Sequence, residues 1–310
     1  MKNNKEAKKH NLSGTNKFQL MSMLAVPMLL VFIFNYIPMI GLVIAFKDYR
    51  YDTGIWGSAW NGLKNFKLFF SSPDFVRVAW NTVSLNFIFI FVGMACAVGL
   101  AIVLYQIRSR IAIKTYQTIL ITPHFLSWVI VGYIAYALLN PDFGFLNNII
   151  EKFGGEPVQW YSRPELWPGI LAIVSIWKNI GMDLVVYYAA LMGIDQSLFE
   201  AAKIDGASNA KCVRHIMIPS LVPLVIIMSI LKIGNIFRGD FGMFYQITRD
   251  IGALYETTDV MDTYIFRMLR VNGNVSISSA AGFLQSIVGF ATVVITNLIV
   301  KRINPDHALF

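Results

Sequence analysis

Three apolar runs in the C-terminal half of this 310-residue chain carry polar side chains at helical spacing. Trp177, Lys178, Asn179, Asp183, Tyr187 and Tyr188 fall in one run, Ser229, Lys232 and Asn235 in the next, and Gln285, Gly289, Thr292 and Thr296 in the last. Asn179, Asp183 and Tyr187 follow an i, i+4, i+8 pattern and share one helix face, and Ser229, Lys232 and Asn235 share another. Polar groups inside a membrane-length run are costly, so they face protein or water rather than lipid. Planar amides, a carboxylate and aromatic rings together suit a polyhydroxylated solute, with hydrogen bonds for its hydroxyls and ring faces for its C–H surface. Trp177, Asn179, Asp183, Tyr187, Lys232, Asn235 and, just beyond the second run, Phe237 therefore form a candidate substrate path. Taken singly, each also fits helix–helix adhesion, worth roughly 0.6 kcal/mol per hydrogen bond. The stripes of the first two runs taken together favour the path.

No arrangement for making or breaking bonds accompanies them. His10, His124, His215 and His307 are scattered, and no H-E-x-x-H metal motif or G-x-S-x-G nucleophile turn occurs. There is no G-x-x-x-x-G-K-[ST] phosphate loop either, so the chain is expected not to bind ATP by itself. Cys96 and Cys212 stand at a spacing that suggests neither a disulfide nor a metal site.

The elements that position these residues follow from composition. The chain is 56% hydrophobic and 14% charged, with mean hydropathy +0.56. Soluble domains carry about 25% charge, so this surface is satisfied largely by lipid. The net charge of +8 sits in short blocks beside apolar runs, as orientation signals do, which argues against a nucleic-acid partner. Residues 1–17, with Lys2, Lys5, Lys8, Lys9 and Lys17, are expected to form a cytoplasmic tail, residues 18–304 a membrane domain, and residues 305–310 a second cytoplasmic tail. A signal peptide is disfavoured because the first apolar run is too long and lacks a small-residue cleavage site. Six spans are expected, at residues 18–46, 81–106, 115–139, 167–192, 220–236 and 280–300, with a kink at Pro38 and Gly41 in the first. Lipid permits no unpaired backbone, so the domain is all-α. Placing every positive cluster inside puts both termini in the cytoplasm of a multi-pass plasma-membrane protein. Residues 47–79, 140–166 and 237–279 then lie outside.

The polar stretch 200–223 between the fourth and fifth spans falls on the cytoplasmic side. Asp195 or Ser197 suits an N-cap, which would place Glu200 in the first turn, where the helix dipole favours an acid. Asp205-Gly206 is a helix stop, Ser208 a second cap, and Pro219 ends or kinks the second helix, so that the fifth span could extend a turn back past it. Small residues here let another backbone come close.

The order of this stretch resembles the EAA loop of ABC importer permeases, carried by Glu200, Ala201, Ala202, Asp205, Gly206, Ala207, Ile216 and Pro219. The Asp205-Gly206-Ala207 extension is similar to the maltose-permease-like carbohydrate branch. Tyr36-Ile37-Pro38, Ala45-Phe46-Lys47-Asp48-Tyr49, Gly144-Phe145-Leu146-Asn147 and Gly239-Asp240-Phe241-Gly242 resemble permeases for oligosaccharides and polysaccharide fragments. Val213 stands where that family usually has an aromatic. The resemblance implies a type I permease fold of six transmembrane helices with a cytoplasmic EAA coupling helix between spans 4 and 5. It also implies a second homologous permease subunit, an ABC ATPase dimer that holds the ATP and Mg, an extracellular solute-binding lipoprotein, and a carbohydrate cargo. No cofactor is implied for this chain. A non-sugar cargo is the main alternative. An ion-driven carrier would favour inverted repeats and paired intramembrane acids, against the single Asp183 here, and an intramembrane enzyme would need the motifs that are missing.

Overall fold

The computed structural model describes residues 14–303 and Pro305; the two expected tails fall largely outside the described residues. Five helical stretches are long and apolar enough to cross a bilayer: Met21–Phe46, Pro73–Tyr105, Pro164–Met192, Asn209–Ile233 and Val275–Arg302. A further pair, Arg110–Phe125 and Trp128–Leu139, is bent by 99° at its break, and counted as one broken crossing it brings the total to six.

That bend corrects the straight third span expected at residues 115–139. Pro123 cannot donate to the helix ladder, and the chain tightens into a 3-10 turn over Thr122–Phe125. Ser127 then caps a new helix, its side chain accepting from the amide of Ile130 at 3.3 Å. The carbonyl of Pro123 accepts from the amide of Leu126 at 3.2 Å, and the buried ammonium of Lys178 donates to the carbonyls of Pro123, His124 and Leu126 at 3.4, 2.8 and 2.7 Å. The fourth span approaches closely enough because residue 181 is glycine; a Cβ there would overlap the carbonyl of Leu120.

Two prolines elsewhere are handled differently. Pro38 and Pro219 each follow a five-residue π turn, Phe32–Tyr36 and Val213–Met217. In both, the isoleucine before the proline donates to the residue five back, Ile37 to Phe32 and Ile218 to Val213. The widened turn makes room for a ring that brings no N–H. Of the two readings of Pro219, the helix continues through it past an irregular turn and does not end there. The fifth span begins at Asn209, inside the docking stretch, and runs 25 residues to Ile233.

Residues 237–279 are also more structured than an outer loop. Helices Phe241–Thr248, Tyr255–Thr258 and Met261–Arg270 form there; Met243, Phe244 and Ile247 of the first, with Leu254 and Val260 from the connections, are buried in one core with Leu85, Val131, Trp167 and Leu171. Charges hid this apolar face in the sequence, and they pair with one another. Arg267 binds Asp259 and Asp250, and Arg77 binds Asp74 and Asp259. Asn81 ties the segment to the second span by donating to the carbonyls of Glu256 and Asp259 at 3.0 and 3.2 Å.

Candidate functional site

A cavity of about 350 Å³ opens between the second, fourth and fifth spans and the start of the outer segment. Asn179, Asp183, Lys232 and Asn235 all line it, so four residues of the sequence-derived path meet in one place. Trp177 does not: it is 43% exposed on another face of its helix. Tyr187 is fully buried in the lower core beside Ala101 and Leu191. Phe237 packs against that same core and offers its carbonyl to Gln285 Nε2 at 2.7 Å.

The helices dictate how the polar groups present themselves. Asn179 and Asn235 each donate their side-chain amide back to a carbonyl one turn earlier, Ser175 at 3.0 Å and Leu231 at 3.2 Å. This leaves the side-chain oxygens of both residues available to the cavity as acceptors. Lys232 and Asp183 form an ion pair between the fifth and fourth spans.

Of the polar lining residues, the sequence did not single out Asn86 and Ser175, while Arg238 and Asp240 belong to the segment 237–242 after the fifth span, whose glycines suggest a backbone folding back into the bundle mouth. Asn86 donates to the carbonyls of Ile236 and Arg238 at 2.9 and 3.1 Å, which fixes where the fifth span hands over to the outer segment. Its one signal was an amide in an otherwise apolar span. Asp240 does not pair with Arg238. Its carboxylate caps the helix Phe241–Thr248 through the amide of Met243 at 3.2 Å and accepts from Trp128 Nε1 at 2.6 Å. Trp128 in turn lies under the Lys178 ammonium, 5.0 Å from the ring centre. The cavity rim and the break in the third span therefore share one polar chain. Below the rim, Asp262 accepts from the amide of Gly239 at 2.6 Å and from Gln285 Nε2 at 3.0 Å. Burial pushes its carboxyl above the usual carboxylate range, against the pull of those two donors.

The second site is the stretch after the fourth span. The helix Gln196–Ile204 is capped by Asp195, whose side chain accepts from the amide of Ser197 at 3.0 Å. Glu200 therefore lies beyond the first turn, which holds no acid, and the expected dipole contact is not made there. The helix ends as its residues direct. The amide of Ala207 bonds Ala202 at 2.8 Å, that of Gly206 bonds Lys203 at 3.0 Å, and Gly206 takes φ +71°. This is the αL exit that glycine enters without a Cβ clash. Ser208 caps the next helix through the amide of Lys211 at 3.4 Å.

Glu200, Ala201, Asp205, Gly206 and Pro219 are exposed, and Ala202, Ala207 and Ile216 are half-buried. Anchors that the sequence did not single out fix the loop to the bundle: Phe199, Cys212 and Met217 are buried with Ala101, Tyr187 and Leu191. Tyr105 of the second span lies 5.8 Å from the Phe199 ring and accepts from Gln196 Nε2 at 2.9 Å. Ile204, by contrast, is 86% exposed at the tip of the helix. The result is a rigidly held helix–turn–helix with an uncovered small and apolar outer face.

Residues 15–305 match the model of the family described as binding-protein-dependent transport system inner membrane component. The protein LplB of Bacillus subtilis (strain 168) is 34% identical over 285 residues, covering 92% of this chain and 89% of that one. The polygalacturonan/rhamnogalacturonan transport system permease protein YteP of the same strain is 33% identical over 274 residues, covering 88% and 85%. Among solved structures, a chain of a bacterial ABC transporter involved in the import of the acidic polysaccharide alginate superposes with TM-score 0.85 at 31% identity, covering 94% of this chain and 97% of that chain. A chain of the alginate transporter in complex with an alginate pentasaccharide-bound periplasmic protein gives TM-score 0.84 at 31% identity, covering 93% and 96%.

Proposed function

The chain belongs to the family of binding-protein-dependent transport system inner membrane components, and from this membership we propose that it takes up oligosaccharides or polysaccharide fragments as one of two permease subunits of an ABC importer. The observation that carries the cargo class is the convergence of Asn86, Asn179 and Asn235 on one cavity between otherwise apolar spans. Amides in that setting suit a neutral, hydroxyl-rich surface better than a metal ion or an apolar solute. The full-length likeness to the permease YteP and to the alginate importer points the same way.

The exposed loop around Gly206 is the coupling site. An ATPase dimer binds ATP and Mg, closes, and moves this loop, which is held in its cleft. The fourth and fifth spans follow, and the path opens outward to receive sugar from an extracellular solute-binding protein. This chain binds and conducts; it forms no bond with its cargo. Such switching is a two-state equilibrium that each partner biases through differential contacts. Both termini and Gly206 lie in the cytoplasm in this arrangement.

Purification with the neighbouring subunits, followed by mass spectrometry of the complex and of any co-purified glycan, tests the assembly and the cargo. A complex with an ATPase and a saccharide is expected, and a stably bound amino acid or peptide would overturn the carbohydrate assignment. Cysteine labels test orientation: in intact cells an impermeant reagent should reach position 156 and fail to reach position 203.

A further inference from the structure

The cavity carries four charged side chains: Asp183, Lys232, Arg238 and Asp240. Three are committed. Asp183 and Lys232 neutralise each other. Asp240 accepts from Trp128 Nε1 and from the amide of Met243. Arg238 is different: its guanidinium enters none of the ion pairs among the described residues and donates none of the side-chain hydrogen bonds there. Its electrostatic companion is Asp262, whose carboxylate is already engaged by Gly239 and Gln285. The Arg238 backbone is fixed independently of the side chain, because its carbonyl accepts from Asn86 Nδ2 at 3.1 Å. A positioned backbone thus holds at the cavity wall an exposed guanidinium whose hydrogen-bond donors are unused among the described residues.

A guanidinium in this state presents a planar fork of donors that matches a carboxylate with two parallel hydrogen bonds. A neutral hydroxyl uses one donor of the fork and leaves its partner donor unused. We propose that Arg238 makes the cavity selective for acidic saccharides, pairing with the carboxylate of a uronate residue while the asparagines hold the hydroxyls. This rests on the assignment of the cavity to a saccharide. The ion pair of Lys232 with Asp183 removes the competing cation, so selectivity for the carboxylate is concentrated in one side chain.

The test uses the complete transporter, with partner permease, ATPase and its own binding protein, reconstituted in lipid. ATP hydrolysis and uptake are measured with trisaccharides of galacturonate, mannuronate or guluronate and with their carboxyl-reduced neutral counterparts. The same binding protein is present throughout, so its own preference cancels when wild type is compared with variant. Wild type should respond to at least one uronate trisaccharide at concentrations tenfold or more below those needed for its neutral counterpart. Arg238→Gln should erase roughly tenfold of that preference, as expected for one hydrogen-bonded charge, and Arg238→Lys should restore part of it. Subunit assembly should not change, since the contact of Asn86 is to the main chain. Equal response of wild type to acidic and neutral sugars overturns the selectivity and leaves the saccharide assignment standing. An acidic preference retained by Arg238→Gln overturns the role of this residue. If no trisaccharide, acidic or neutral, stimulates the wild-type transporter, the saccharide assignment fails and the selectivity falls with it.

Discussion

The ammonium of Lys178 lies 2.7 Å from the main-chain oxygen of Leu126, joining the fourth span to the break in the third. A buried lysine without a carboxylate would be costly. Here three carbonyls and the face of Trp128 replace its hydration, and the lysine replaces the amides that the broken helix lacks. Lys178→Met keeps the length of the side chain and removes the donors. Each hydrogen bond to a charged group contributes about 1.5–3 kcal/mol, so the variant complex should melt earlier. Hydrogen exchange should speed up around residues 122–130. Protection as in wild type would show that the break holds itself.

The ion pair of Asp183 with Lys232 gives a second expectation. Its members are partly exposed to the cavity, so its coupling should fall between that of a surface pair and that of a buried one, about 1–3 kcal/mol. Asp183→Asn or Lys232→Met alone should destabilise the complex more than both together. Additive losses in a double-mutant cycle read by thermal unfolding would contradict the pair.

The coupling loop can be broken without touching the bundle. Gly206→Glu places a Cβ and a charge at φ +71°, and Ile204→Asp charges the exposed tip. Both should weaken capture of the ATPase at least tenfold and abolish sugar-stimulated hydrolysis, with the permease pair still assembled. Pull-down and hydrolysis assays on the same preparations decide it, and unchanged capture by both variants would move the docking face elsewhere.

Asn179→Ala and Asn235→Ala each remove one acceptor from the cavity. At about 0.5–1.5 kcal/mol per hydrogen bond, the sugar concentration for half-maximal uptake should rise several-fold. Basal ATP hydrolysis should hold. Trp177→Ala is the control: it faces away from the cavity and should leave uptake as it was. Loss of uptake in the control, with both asparagine variants intact, would reverse the assignment of the path.

What could be seen in the sequence was what is decided locally. The cap at Asp195, the stop at Gly206 and the cap at Ser208 each depend on a few adjacent residues, and each stands where its residue type directs. Asn179, Asp183, Lys232 and Asn235 follow from helical periodicity alone. The misses involve partners far along the chain. Nothing near Pro123 announces that Lys178, 55 residues later, will cover carbonyls at the break. Asn86 and Arg238 acquire their place only when residues 152 apart in sequence meet. Trp177 is turned to another face of its helix, whereas Tyr187 shares the face of Asn179 and Asp183 but lies about two turns beyond Asn179, buried in the core with Ala101 and Leu191.

The helical stretch from Asn209 to Ile233, continuous through its π turn at Val213–Met217, also has a mechanical meaning. At 1.5 Å per residue it is a stiff lever about 37 Å long, with the loop at one end and Lys232 at the other. A tilt of about 5° at the loop end carries the far end through roughly 3 Å, more than the tolerance of a hydrogen bond. If Gly206 is the coupling site proposed above, a small stroke there shifts Lys232 and Asn235 together, and the proposed grip on cargo is thrown like a latch rather than loosened by degrees.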